Sequence, residues 1–192
     1  MTRLPDQFFE IDGPALIFLG IVMAAAAYTD LTRQKIPNIL TFPTLLAGLG
    51  YHGLVHGMPG VYFSLAGAGT GLGLLIVFYM ANAMGAGDVK LMAAAGAILG
   101  AKGIFLTFLI TAIYGGIYSM VMILARRDIF KGFFNEFFNT LLTFALLRKY
   151  YPVKVSENKK RPKLCYGIAI ALGTFTYMGL KIFGYEFLSQ IN

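Results

Sequence analysis

The chain has 192 residues, of which 57% are hydrophobic and only 13% are charged, and its formal net charge is +7. Soluble domains carry about 25% charged residues. With a mean hydropathy of +0.69, the composition excludes an ordinary soluble domain, a disordered chain and, despite the positive charge, a nucleic-acid-binding domain. A single cysteine excludes a disulfide framework and a cysteine-based zinc module.

Apolar runs predict about six membrane-spanning helices, because a helix needs about 20 apolar residues to cross a bilayer. The first run ends at Asp30, and its N-terminal flank lacks the positive charges of a signal peptide, so we expect a retained helix. Residues 36–87 contain no Asp, Glu, Lys or Arg. This stretch is too long for one span and divides at the turn signal in residues 56–60. The predicted spans are 14–29, 38–56, 61–83, 91–101, 103–125 and 164–180.

Residues 128–150 have a different pattern, in which aromatic and aliphatic residues recur at steps of three and four with polar residues between them. This periodicity predicts an amphipathic helix that lies in the membrane interface on the cytoplasmic side. The basic loop that follows, residues 151–163, is too short to be a domain. The sequence therefore predicts an all-α, polytopic integral membrane protein that forms one membrane-embedded domain over residues 1–192.

The basic residues predict the orientation, since they concentrate on the cytoplasmic side of membrane proteins. If both termini lie outside, three basic residues, Arg3, Lys102 and Lys181, fall on the outer side, and the other thirteen of the 16 fall on the cytoplasmic side. The positive charge is then explained by topology and by attraction to anionic lipids.

Two of the nine acidic residues adjoin the apolar spans. The helical rise places Asp30 about 27 Å from the outer edge if Asp12 marks that edge, and Asp88 about 21 Å from Lys102. Both acids then fall in the cytoplasmic part of the membrane, where an ionised carboxylate is costly and indicates a function or a partner. The alternatives are that Asp30 is the first polar residue after a span and that Asp88 is the N-cap of a helix beginning at Val89.

Two carboxyl groups held a few ångströms apart do not both ionise readily, so one of them keeps its proton. The neutral acid can polarise a peptide carbonyl while the carboxylate takes a proton from water, as in aspartic proteases. This chemistry needs neither a metal nor a cofactor, and we expect neither. Gly85 and Gly87 precede Asp88 and would give a substrate backbone room to approach.

Other motifs favour structural roles. His52 and His56 have helical spacing but no Glu between them, so we expect an interfacial position rather than a zinc-peptidase site. The alternating glycines of residues 67–73 lie inside a span, which predicts a helix-packing face rather than a nucleotide loop. Cys165 is expected to be a small packing residue.

Three segments resemble the motifs of type IV prepilin peptidases. Residues 30–38, DLTRQKIPN, resemble the first active-site motif, in which an Asp is followed shortly by Ile-Pro-Asn. Residues 85–91, GAGDVKL, resemble the second motif, GxGD followed by Lys-Leu. Residues 162–173 are similar to the last-helix segment of the family, and the three segments occur in the family's order.

The resemblance implies an aspartic endopeptidase of the bacterial inner membrane, with Asp30 and Asp88 as its catalytic pair. Such enzymes remove the short basic leader of prepilins or pseudopilins at the cytoplasmic face, so a prepilin is the expected partner. The residues it implies for substrate binding are Gly85, Gly87, Lys90, Pro37 and Asn38.

One departure from the family concerns zinc. Many members have a large cytoplasmic domain with two Cys pairs that bind zinc, and they also N-methylate the new pilin terminus. Here the loop after Asp30 is short and no Cys pair exists. The chain therefore resembles the compact subclass associated with tight-adherence (Flp) pili, which lacks the zinc/methyltransferase domain, so the resemblance does not extend to methyltransferase activity.

Three other functions stay open from the residues. A presenilin-like protease shares the GxGD motif but usually has Tyr-Asp at its first aspartate, whereas this chain has Tyr28-Thr29-Asp30. A small proton- or cation-coupled transporter would also use isolated intramembrane acids, although no inverted repeat is evident. A plain assembly scaffold would need neither Asp30 nor Asp88.

Overall fold

The computed structural model describes residues 13–80, 84–125 and 166–189. These residues form four helices, α1 (Gly13–Arg33), α2 (Asn38–Met80), α3 (Ala86–Ala125) and α4 (Tyr166–Ser189). No strand occurs within these ranges. The predicted all-α fold is therefore confirmed. The predicted amphipathic helix 128–150, the loop 151–163 and Cys165 lie outside the described residues.

Three helical stretches are long and apolar enough to cross a membrane, namely Gly13–Arg33, Asn38–Met80 and Ala86–Val121. Large apolar side chains cover their outer surfaces, as at Ile39, which is 81% exposed, and Leu54, which is 91% exposed. A soluble protein rarely exposes so much apolar surface, whereas a membrane protein presents it to lipid. The chain is thus a membrane protein, and the count of six spans stays a prediction.

Two glycines interrupt the long helices with left-handed backbone, Gly57 at φ 62° and Gly100 at φ 72°. A side chain is strained in this conformation, and glycine is not. The first break lies inside the predicted turn 56–60. The second was expected beside Lys102 but falls two residues earlier, and Lys102 itself is helical. From Asn38 to Gly57, α2 rises about 28 Å, close to the thickness of a bilayer core.

The first half of α3 is the centre of the fold, and every residue from 91 to 100 is buried. Small residues dominate this segment and let neighbouring backbones approach closely. Gly67 and Gly71 of α2 lie so near to Gly96 and Met92 that a Cβ at either α2 glycine would collide with the α3 backbone. The predicted packing face is confirmed for these two glycines. A Cβ on the alternate glycines of the same run would meet none of the described atoms within 4 Å.

The break at Gly100 interrupts the helical hydrogen-bond ladder that the preceding carbonyls would otherwise join. Ser64 Oγ donates to the carbonyl of Ala97 at 2.6 Å, and His52 Nε2 lies 3.0 Å from the carbonyl of Ile98, which can only accept. Buried backbone groups need such partners. The side chain of His52 is buried and hydrogen-bonded to α3, while its expected position at the membrane interface stays a prediction.

Helix α1 packs against α4 and, to a smaller extent, against α2. Its buried residues recur at steps of three and four, which is the spacing of one helical face. This buried stripe comprises Leu16, Leu19, Met23, Ala26 and Asp30. Asp30 therefore lies on the buried, largely apolar face of α1 and not beyond the end of that face.

The chain divides into two compact units, Met1–Gly115 with Cys165–Asn192, and Gly116–Leu164. All contacts given above and below belong to the first unit. Of the second, the structure describes only residues 116–125, the last part of α3, where Ile117, Met120 and Val121 are exposed.

Candidate active site

Asp30 lies inside the last part of α1 and is 6% exposed. Its Oδ2 accepts a hydrogen bond from the backbone N–H of Gly167 at 2.9 Å. Gly167 is the second residue of α4, and the first N–H groups of a helix have no partner within that helix. The positive end of the helix dipole also favours a carboxylate there. The alternative that Asp30 is simply the first polar residue after a span is wrong, because Asp30 is helical, buried and bound to another helix.

Asp88 lies in the first turn of α3 and is 8% exposed. Its Oδ2 accepts a hydrogen bond from the N–H of Gly85 at 3.2 Å, and its own N–H donates to the Gly85 carbonyl at 3.2 Å. An acid that reaches back to the residue before the helix resembles half of a capping box. The alternative that Asp88 is the N-cap of a helix beginning at Val89 is wrong, because the helix begins at Ala86.

The residues that hold or adjoin the two carboxylates meet around Ile36, which is buried in the loop between α1 and α2. A Cβ built on Gly87 would lie 3.1 Å from Cβ of Ile36, and one built on Gly167 would lie 3.0 Å from its Cδ1. The starts of α3 and α4 therefore converge on one side chain. Asp30 and Asp88 are close enough in this arrangement for their charges to interact.

The other predicted residues join α2 to α3 beside this point. Lys90 Nζ donates to Asn38 Oδ1 at 3.0 Å and lies 5.3 Å from the ring centroid of Phe42. The carbonyl of Pro37 accepts from the N–H of Leu40 at 3.0 Å in the first turn of α2. Lys90 and Asn38 thus bind each other, and Pro37 immediately precedes the helix that Asn38 begins.

Two residues of the site, Ile36 and Gly167, were not predicted from the sequence to take part in it. Both lie within motifs that resemble the family. A signal for Ile36 exists, since it is the one apolar residue between Leu31 and Pro37. Gly167 carries no local signal, because its contact with Asp30 joins residues that are 137 positions apart.

Two buried carboxylates on separate helices can together supply a general acid and a general base to one water molecule. Within the described ranges, no group of three or more His, Cys, Asp or Glu residues could hold a metal ion. Gly85 and Ala86 are exposed beside Asp88, so the start of α3 is open to an approaching chain.

Comparison with known proteins agrees with this chemistry. The sequence profile of the family described as "Type IV leader peptidase family" matches residues 17–120, which include both carboxylates. No solved structure matches the chain.

Curated relatives carry the name prepilin leader peptidase/N-methyltransferase. The protein from Aeromonas salmonicida (strain A449) is 33% identical over 120 residues, covering 59% of this chain and 41% of that protein. The Xanthomonas campestris pv. campestris protein is 32% identical over 132 residues, covering 62% of this chain and 44% of its own length. The Bacillus subtilis protein is 32% identical over 117 residues, covering 59% and 46%.

The chain therefore spans less than half the length of these relatives. The family profile, in contrast, covers more than half of the 192 residues and both carboxylate motifs. On this evidence the chain belongs to the type IV leader peptidase family.

Proposed function

We propose that this protein is a membrane aspartic endopeptidase that removes the short basic leader from a type IV (Flp-like) prepilin or pseudopilin. The observation that carries the proposal is that Gly167, whose N–H holds Asp30, and Gly87, which adjoins Asp88, both pack against one buried side chain, Ile36. Family membership and the names of the relatives support the same reaction.

In the proposed reaction, one carboxyl of the Asp30–Asp88 pair is ionised and the other is protonated. The carboxylate removes a proton from a water molecule as the oxygen of that water attacks the scissile carbonyl carbon. The protonated partner donates its proton to the carbonyl oxygen. When the tetrahedral intermediate collapses, the C–N bond breaks and the carboxyl that took the proton from water gives it to the leaving amine. A hydroxyl of the intermediate returns a proton to the other carboxylate, so the pair ends with one proton as it began.

The substrate is proposed to pass the open start of α3. Gly85 and Ala86 are exposed there, and Lys90 with its partner Asn38 lies on the neighbouring surface. In the predicted topology this end of the helices faces the cytoplasm of a bacterium and lies at its inner membrane. Anionic lipids beside Arg33 and Lys35 would attract a basic leader to this basic face.

The direct test is cleavage of a purified prepilin by the detergent-solubilised protein, followed by mass spectrometry of the product. Asp30→Asn and Asp88→Asn keep the side-chain shape but remove the acid–base group, so each should lower the rate at least about 10³-fold. Cys165→Ser is the control, because a thiol has no part in the reaction and this variant should cleave at the wild-type rate. Wild-type cleavage by either Asp variant would contradict the proposal.

The position of the cut separates the two peptidase functions. A leader peptidase cuts beside the apolar stretch of the prepilin, on its basic side, whereas a presenilin-like enzyme cuts within that stretch. A proton- or cation-coupled transporter would produce ion flux in liposomes and no cleaved product.

A further inference from the structure

Two glycines at the site face the same side chain from different helices. A Cβ on Gly87 would lie 3.1 Å from Cβ and 3.4 Å from the carbonyl oxygen of Ile36. A Cβ on Gly167 would lie 3.0 Å from Cδ1 of Ile36 and 2.9 Å from Oδ2 of Asp30. The shortest of these distances are below ordinary van der Waals contact, so a methyl group at either position would make its neighbours shift.

Ile36 reaches both helices because of the way α1 ends. Gln34 adopts φ 50°, and its N–H donates to the carbonyl of Asp30 at 2.9 Å, which closes the helix. The chain then turns inward, and Ile36 is buried while Lys35 before it is exposed. Burial of this one apolar side chain anchors the loop.

We propose that Ile36 and Gly167 are positioning residues for the peptidase reaction. Ile36 packs between Gly87 and Gly167, and so sets the distance between the N–H that holds Asp30 and the helix start that carries Asp88. Neither residue is proposed to touch the substrate; Gly167 acts through its N–H on Oδ2 of Asp30. This inference rests on the proposed function, because it assigns both residues to that reaction.

A methyl group at position 167 would act on Asp30 before it acts on the fold. The three atoms nearest to it are side-chain atoms, namely Oδ2 and Cβ of Asp30 and Cδ1 of Ile36, so the methyl group presses mainly on Asp30. A methyl group that meets backbone instead displaces a helix. A misplacement of about 1 Å at a reacting group costs about 10²-fold in rate. The loss should therefore fall on kcat more than on stability.

The first experiment measures kcat, KM and the thermal unfolding temperature for three glycine variants of α4. Gly167→Ala should lower kcat about 10- to 100-fold with KM within about 3-fold of wild type. Gly179→Ala is the neutral control, since a Cβ there would meet none of the described atoms within 4 Å. Gly173→Ala is the structural control, because its Cβ would lie 2.9 Å from the backbone N of Thr111.

Gly173→Ala should lower the unfolding temperature more than Gly167→Ala does and should lower kcat less. Wild-type kcat in Gly167→Ala would overturn the positioning role. An equal loss of kcat in Gly173→Ala would overturn it too, because any disturbance of α4 would then suffice.

The second experiment uses Ile36→Val, which deletes Cδ1 and keeps Cβ. Combined with Gly167→Ala, it should restore kcat at least about 3-fold over Gly167→Ala alone, because one of the three crowded atoms is gone. Combined with Gly87→Ala it should restore nothing, because the methyl group at position 87 meets Cβ and backbone atoms that valine retains. Recovery in both pairs, or in neither, would overturn the proposed packing.

Unfolding temperatures of the same variants separate this inference from the proposed function. If Ile36 and Gly167 couple in stability but the wild-type protein cleaves no prepilin, the proposed function fails and the positioning role fails with it. If the wild-type protein cleaves, Asp30→Asn does not, and the effects of Ile36→Val and Gly167→Ala are additive, only the positioning role is overturned.

Discussion

Asp30 and Asp88 are held in the same way although they lie on different helices. Each carboxylate accepts one backbone N–H at the start of a helix, Asp30 from Gly167 and Asp88 from Gly85. A backbone donor does not rotate as a side chain does, so it fixes the position of an oxygen with little entropy to lose. Backbone N–H groups thereby orient both carboxyl groups of the site.

Gln34 is a strained residue next to this site, because it adopts left-handed backbone with φ 50°. Replacing it with glycine should raise the free energy of unfolding by about 1 kcal/mol, since glycine adopts this conformation without steric cost. Thermal unfolding in detergent measures the change.

Lys35→Gly is the matched control for Gln34→Gly, because Lys35 is also exposed but has no left-handed backbone. It should not raise the unfolding temperature. An equal rise in both variants would mean that the gain at Gln34 does not come from backbone strain.

The sequence predicts the two acids of the site but not what holds them. An acid beside an apolar span is conspicuous in any membrane protein, because charge is costly there. The N–H of Gly167 and the side chain of Ile36 are ordinary in sequence. Their importance comes from contacts between α1, α3 and α4, and such contacts depend on how the helices pack.

At the scale of the elements, glycine serves two purposes in this fold. Gly57 and Gly100 supply backbone that other residues adopt only with strain, and they end helical segments near the predicted places. Gly67 and Gly71 supply close approach between α2 and α3. The sequence predicts both uses, but it locates a break only approximately. The break that was expected at Lys102 occurs at Gly100.

The packing of α2 on α3 gives a matched pair of substitutions on one helix. Gly67→Ala should destabilise the protein by about 1–3 kcal/mol, because the new Cβ would collide with the backbone of Gly96. Gly69→Ala should be neutral or slightly stabilising, since alanine favours helix and its Cβ would meet none of the described atoms within 4 Å. The unfolding temperatures of the two variants test this packing, and equal temperatures would contradict it.

At the scale of the whole chain, the buried first half of α3 determines where the site lies. The segment from Asp88 to Gly100 rises only about 18 Å, less than the thickness of a bilayer core. Because its neighbours in α2 are longer, we expect Asp88 to be set back from the membrane surface. Asp30 and Asp88 are both buried, while Gly85 and Ala86 are exposed.

The orientation of this arrangement can be tested by chemical labelling in a Cys165→Ser background. Lys35 lies in the exposed loop beside the acids, and Met58 lies beside the break at Gly57 and is also exposed. Because basic residues favour the cytoplasmic side, a membrane-impermeant maleimide added to intact spheroplasts should label Met58→Cys and not Lys35→Cys. Inverted vesicles should give the reverse. Labelling of Lys35→Cys from outside would place Asp30 and Asp88 on the outer side and would contradict cleavage at the cytoplasmic face.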